Sequence, residues 1–416
     1  MPQRQQEDAR RWFEQGLQHE RSGDGQSAVA AYRRALTIDG GMREARNALA
    51  FFYQRQGLFG KAAEEFRAIT RLSDDYFAHY NLGYVLIEME RYDDAEREFR
   101  RCLELVADDA ASHLELAYIL VARSDYAAAV VELALPLRRY GDDWEVHNLL
   151  GRCRIGMRDY AGAGEALQQA WRLAPDVIAQ GEILAQLSML ERSREFRQFE
   201  SIKDEVYAVD GVVYLGSAGD DGLIMRELPS HRFSYADIAL TVQRLTAFLS
   251  SSRAVVAAVQ SLDAMSLPLA RAISRALAVP LIEQHSDGIA EPVLQVLAIG
   301  RSPELLSLAR ERAGGPVITF CLAVNWLKHS RTMPDVSGVI VHETCTLPWE
   351  AELRGSSAEA YAEAVEIAAA RLLDTLRGQV PEANLPRQMR YYTRSHRRLT
   401  RAAVSPPPVR PISASD

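Results

Sequence analysis

The chain has 416 residues, 48% hydrophobic and 25% charged, with 48 Lys and Arg against 56 Asp and Glu for a formal charge of −8. These are ordinary values for a soluble globular protein of several domains, and 25 Gly with 17 Pro exclude a collagenous or low-complexity chain. No apolar run approaches the roughly 20 residues of a membrane-spanning helix, and the opening MPQRQQEDARRWFEQ lacks the apolar stretch of a signal peptide, so a cytoplasmic protein is expected. The acidic balance argues against attraction of the whole chain to nucleic acid. Cys102, Cys153, Cys321 and Cys345 show no CxxC spacing and read as reduced thiols; no metal site and no cofactor is expected.

The first half repeats. Small residues recur at Gly16, Ala50, Gly83, Ala117 and Gly151, and alanines at Ala28, Ala62, Ala95, Ala129 and Ala163, every 33 or 34 residues. Bulky residues follow the alanines four places on, at Tyr32, Phe66, Phe99, Leu133 and Leu167. Small residues on a first helix admit a close second helix, and the bulky residue fills the wedge between neighbours. The fifth copy, WEVHNLLGRCRIGMRDYAGAGEALQQAWRLAP, holds Leu150, Gly151, Ala163, Ala170 and Pro175 in this pattern. The pattern resembles the tetratricopeptide repeat, a helix–turn–helix of 34 residues. That resemblance implies an all-α solenoid over 1–200, with five repeats starting near 9, 43, 76, 110 and 144 and a capping helix at 177–200.

Repeats of this kind generally hold peptides or partner proteins on the inward face of each first helix. Counting nine places along each copy gives Leu17, Phe51, Tyr84, Tyr118 and Arg152; counting five gives Phe13, Asn47, Tyr80, Leu114 and Asn148. Two rows four residues apart share a helical face, and this one is rich in tyrosine, whose apolar body and polar tip suit an amphipathic helix or hydrophobic peptide. Some relatives clamp a C-terminal carboxylate. Asn81 sits at the clamp's asparagine position, but Ala111 and Glu115 stand where the basic pair is required, and a carboxylate beside Glu115 is repelled. An open face for an external partner, cover by the chain's own C-terminal half, and ordinary packing between repeats all remain as readings.

From about residue 204 the period stops. EVYAVDGVVYLGS reads as a strand, or a hairpin hinged at Asp210-Gly211, and GSAGDDG as a turn rather than a nucleotide loop. A helix capped by Ser234 follows. Strands are then expected at 254–259, 279–283, 293–299, 316–324 and 337–343, alternating with helices, and SSAEAYAEAVEIAAARLLDTLRG forms a long last helix. Short continuous apolar strands between helices predict an α/β domain over 205–380 with a mostly parallel sheet. The stretches AVVAAVQSLDAMSLPLARAISRALAVPLIE and VLQVLAIGRSPELLSLARERAGGPVITFCLAV are similar to the phosphoribosyltransferase-like fold. That family's acidic pair and Thr/Gly loop are missing at Ile299-Gly300-Arg301-Ser302-Pro303-Glu304, so the resemblance implies a domain without the transferase site.

Two groups of polar residues lie at expected strand ends, Glu283, His285, Asp287 and Glu291 in one loop and His342, Glu343 and Cys345 in another. A ligand site or a Cys/His pair requires the two loops to meet. The stretch 387–401 holds six arginines and no acid, with Tyr391 and Tyr392 interleaved. It suits a phosphate backbone, an acidic surface, docking on the chain's own body, or solvent. The 381–416 tail is read as basic and then Pro/Ser-rich, disordered at its end. Taken together these features describe a cytoplasmic adaptor or scaffold that binds a protein or peptide partner. The alternative is an enzyme or ligand sensor acting at 283–291 and 342–345, with the repeats presenting a protein substrate.

Overall fold

A computed structural model describes residues 3–217, 227–282, 291–301, 303–325, 332–354, 357–397 and 399. Two compact units divide the chain between Gln186 and Leu187.

The first unit is all helix. Antiparallel pairs follow one another: α1 (Gln3–Arg21) with α2 (Gly25–Ile38), α3 (Arg43–Arg55) with α4 (Phe59–Leu72), and α5 (Tyr76–Glu88) with α6 (Tyr92–Leu105). Next come α7 (Ala110–Ala122) with α8 (Tyr126–Glu132) and α9 (Ala134–Arg139), α10 (Trp144–Gly156) with α11 (Tyr160–Leu173), and then α12 (Val177–Ser193), whose residues from Leu187 on are counted with the second unit. The fourth copy's second helix is split in two because Pro136 has no amide hydrogen and its ring crowds the carbonyl four residues back. Aspartates start the helices: the side chains of Asp24, Asp75, Asp109, Asp125, Asp143 and Asp159 each accept an amide of the first turn. Such a cap is worth about 1 kcal/mol.

The row of small residues has the steric role expected of it. A Cβ added to Gly83 would lie 2.8 Å from the ring of Phe99, and one added to Gly151 would lie 2.6 Å from Leu167. Another row follows the same period. The turn inside each pair passes through one left-handed residue, at Gly23 (φ 81°), Gly57 (69°), Glu90 (57°), Ser124 (61°) and Arg158 (63°). Only the first two are glycine, the residue that adopts this conformation without a Cβ penalty.

The second unit begins differently from the strand or hairpin read from EVYAVDGVVY. Ile202–Asp210 is a helix, α13, closed by Gly211 in the left-handed conformation, and only Val213–Tyr214 extends, as β1. Glu227–Leu228 (β2) and His231–Arg232 (β3) follow. Then comes α14 (Tyr235–Ser251), whose Ser234 forms a full capping box with Asp237. The alternation runs on through β4 (Ala258–Ser261), a 3-10 turn at Ala264–Ser266, α15 (Leu267–Leu277), β5 (Leu281–Ile282) and β6 (Val293–Gly300). It continues with α16 (Pro303–Glu311), β7 (Val317–Val324), β8 (Val336–Val341) and β9 (Cys345–Thr346). Three helices end the unit: α17 (Glu350–Leu353), α18 (Ala358–Gly378) and α19 (Leu385–Arg394).

Every strand pair is parallel, in the order β1-β8-β7-β6-β4-β5, with β2 also on β8 and β3 paired with β9. Alternate residues serve opposite faces. Leu294, Val296, Phe320 and Leu322 join a core with Leu245, Phe248, Ile273 and Leu372 of α14, α15 and α18, while Leu297 and Cys321 pack with Leu306 and Ala309 of α16. Helices therefore cover both faces, as expected for continuous apolar strands.

The arginine-rich stretch is docked in its described part. Met389 and Tyr392 of α19 are buried in the core that α14 and α18 share. Lys203 of α13, itself buried, donates to the Tyr392 hydroxyl, which donates to the Tyr214 carbonyl at 2.6 Å. The Tyr391 hydroxyl donates to Asp204, whose Oδ1 also lies 3.0 Å from Nε2 of buried His396, and His396 stacks on Tyr207 at 4.4 Å between ring centroids. A few residues away, fully buried Arg244 donates to both carboxylate oxygens of Glu382, at 2.8 and 2.7 Å, and to the carbonyls of Leu215 and Ser217. Residues 400–416 lie outside the described set.

Candidate functional site

In the first unit, none of the ten residues expected on the partner face is buried: Phe13, Leu17, Asn47, Tyr80, Leu114, Tyr118, Asn148 and Arg152 are half-buried, and Phe51 and Tyr84 are 40% exposed. Tyr80 does structural duty as well. Its ring stacks on Tyr76 at 5.7 Å, meets Phe99 edge-on at 5.5 Å, and its hydroxyl donates to Glu115 of the next copy at 3.1 Å. Phe51 leans edge-on against Phe66 at 5.3 Å.

Phe77, which belongs to neither row, is 70% exposed. It precedes Tyr80 by three residues and Tyr84 by seven, so it lies on their face of α5, and that helical spacing was the available signal. Glu88 continues the row four residues beyond Tyr84.

Carboxylates set the electrostatics of this face. Burial pushes the Glu115 carboxyl up to about 7; the Tyr80 hydroxyl opposes the rise, and Glu145 and Glu88 add to it. Burial also raises Tyr84, followed by Glu88, Glu115 and Glu145. Tyr118 is raised first by burial and then by Glu145 and Glu115, with Arg152 acting the other way. One glutamate from each of α5, α7 and α10 thus acts on the same tyrosines. The Asn148 side-chain oxygen is buried and has no hydrogen-bond donor among the described residues.

The strand-end residues of the second unit do not assemble as one site. Glu283, His285 and Asp287 lie outside the described residues. Glu291 is exposed just before β6, at the N-terminal edge of the sheet, whereas His342, Glu343 and Cys345 follow β8 at the C-terminal edge. Parallel strands put those edges on the order of 20 Å apart. His342 and Glu343 are exposed; the Glu343 carboxylate accepts from Ser230 at 3.1 Å. Cys345 is buried opposite His231 in the β3–β9 pair, and burial pushes its thiol up to about 12, the reverse of what a nucleophile requires.

A cavity of about 440 Å³ does open at the C-terminal edge. It sits where the chain leaves β4 for β5 on one side and resumes at β6 on the other, the switch point at which open α/β sheets bind ligands. Met265, Leu297, Ile299, Leu305 and Leu347 form apolar walls; Asp263, Arg301, Glu350 and Arg354 are the polar lining. Glu350 pairs with both arginines, 3.7 Å from Arg301, and Asp263 caps the following turn by accepting from the Ser266 amide at 2.7 Å. These residues come from segments far apart in sequence, and no local spacing reveals them. No group of three or more His, Cys, Asp or Glu able to hold a metal occurs among the described residues, and no helix there is long and apolar enough to cross a membrane.

Residues 86–153 match the tetratricopeptide repeat family model. The matched stretch lies within the repeating half of the chain. Among solved structures it is similar to YrrB, "a TPR protein with an unusual peptide-binding site", at 19% identity and a TM-score of 0.36 over 40% of this chain and 87% of that one. It is also similar to PilW, a type IV pilus biogenesis factor, at 17% identity and a TM-score of 0.39 over 45% and 86%. TTC0263 of Thermus thermophilus, a thermophilic TPR protein, is similar at 18% identity and a TM-score of 0.34 over 43% and 98%. No curated protein matches the sequence.

Proposed function

We propose that this protein is an adaptor that holds a peptide or helix of a partner protein along the first-helix face of its repeats. The observation that carries this reading is the row Phe77, Tyr80 and Tyr84 on α5, two members of which stay substantially exposed on a helix whose other apolar residues are largely packed. Large aromatic side chains with a wet edge are the usual anchors of protein recognition. Phe77→Ser with Tyr84→Ser tests it, because Phe77 is 70% and Tyr84 40% exposed and neither belongs to the buried core. Crosslinking of the full chain in its native lysate is expected to enrich a partner that this variant loses while its helical circular dichroism stays unchanged. Identical crosslinked sets from both proteins reject the reading.

A second reading concerns the α/β unit. The cavity at the switch point, with apolar walls and two guanidiniums at its rim, suits a small molecule that carries an anionic group. In this reading the unit senses a ligand, and the candidate residues are Arg301 and Arg354 rather than the 283–291 and 342–345 loops. Saturable binding of such a compound that is lost in Arg301→Ala/Arg354→Ala supports it; binding unaffected by the pair refutes it.

A further inference from the structure

The charge of the repeat face narrows the class of partner; this inference rests on the adaptor reading above. Three glutamates, Glu88, Glu115 and Glu145, come from consecutive first helices onto one group of tyrosines, with Asp143 acting on Tyr118 as well and Arg152 as the opposing cation. Glu115 is the half-buried member, and its described hydrogen bond is the one from Tyr80. The Asn148 oxygen adds an acceptor with no described donor. A face so supplied with acceptors is complemented by a group that brings donors and positive charge and no acceptor, which among side chains means Lys or Arg. The exposed rings of Phe77 and Tyr84, with the half-buried ring of Tyr118, are complemented by apolar side chains and by the cation itself over a ring.

We propose that the face recognises a cationic amphipathic segment of a partner protein, its apolar side chains lying on Phe77, Tyr84 and Tyr118 and a lysine or arginine reaching Glu115 between Tyr80 and Tyr118. An acidic peptide is disfavoured by repulsion from Glu88 and Glu145, and from Glu115 once it ionises. A free C-terminal carboxylate is disfavoured on the same ground, which sets this surface apart from a carboxylate clamp.

The test is a selection of random 12-residue peptides displayed on phage against the immobilised full chain. The best peptides are then measured by fluorescence anisotropy against wild type, Glu115→Gln, Glu145→Lys and Tyr84→Ser. The expected set is enriched in Lys or Arg spaced three or four places from aromatic or aliphatic residues. Glu115→Gln weakens its binding by about tenfold, as loss of one desolvated charge partner does, and exposed Glu145→Lys weakens it with no effect on folding. Binding is expected to fall as salt rises from 50 to 300 mM. An enriched set that is neutral or acidic but still lost with Tyr84→Ser overturns the charge inference and leaves the adaptor reading standing. Failure to enrich any peptide, or binding indifferent to all three variants, overturns both.

Discussion

Replacing Glu115 by Gln should stabilise the first unit, and only above the pH at which the glutamate ionises. Glu115 keeps its proton to about 7 because its carboxyl is half-buried beneath Tyr80, with Glu88 and Glu145 nearby, against an ordinary value of 4.5. A folded-state value above the unfolded one means that the folded protein holds a proton the unfolded chain has released. Stability therefore falls as pH rises from 4.5 to 7, and the full cost is present above 7. A shift of that size corresponds to about 3 kcal/mol. Gln retains the oxygen that accepts from the Tyr80 hydroxyl and never ionises, so Glu115→Gln should gain about 2 to 3 kcal/mol at pH 8 and almost nothing at pH 4.5. Hydrogen exchange of peptides from α5 to α7 in the full chain, read by mass spectrometry across that range after correction for the intrinsic rate, measures the local opening energy. Equal protection of both proteins at pH 8, or a difference independent of pH, refutes the argument that burial makes this carboxylate costly.

Other outcomes follow from the same structure. Gly83→Val forces a branched side chain against the buried Phe99 ring and should cost about 2 kcal/mol, read as a lower thermal midpoint of the first unit. Ser124→Gly and Arg158→Gly relieve left-handed backbone at two turns and should each add about 0.5 to 1 kcal/mol to urea stability, whereas the same change at a right-handed helical position should cost stability. His396 is held near 4 chiefly by burial, below its ordinary 6.5, so the unfolded chain takes up the proton first. Its contribution to the second unit is present above 6.5 and is lost as pH falls toward 4, up to about 3 kcal/mol, and His396→Gln should flatten the unfolding midpoint over that window.

The repeats were legible because their determinants are local. A small residue and the bulky side chain that needs its space, Gly83 with Phe99 or Gly151 with Leu167, are 16 residues apart and recur. The left-handed turns keep the same period yet stayed hidden, since Glu90, Ser124 and Arg158 do not look like turn glycines. In the second unit the strand–helix alternation and the Ser234 cap could be read directly from apolar runs and a serine ahead of a helical stretch, and the structure adds Asp237 as the other half of the capping box. EVYAVD was misread as extended because Val and Tyr favour strands, while Lys203 and Asp204, just ahead of it in the same helix, bond to Tyr391, Tyr392 and His396, nearly two hundred residues on. In α19 the buried pair Met389 and Tyr392 was masked by the arginines around it. The rows of aromatics on the first helices could be counted along the sequence, but the carboxylates that act on those tyrosines come from α5, α7 and α10, far apart along the chain. The switch-point cavity, assembled from three distant segments, left no pattern at all.

The bond between Lys203 and Tyr392, 189 residues apart, also orders events at the ribosome. Each helix pair of the first unit finds its contacts within the next few dozen residues made, so the repeats pack while translation is under way. The second unit cannot finish in that manner: β1 waits for β8, and α13 waits for α19. A ribosome that stalls between those points leaves a packed row of helices tethered to an open parallel sheet with an apolar face uncovered. For this chain, then, the hazardous interval of synthesis is the second half, when the repeats are already packed and the sheet is not yet able to close.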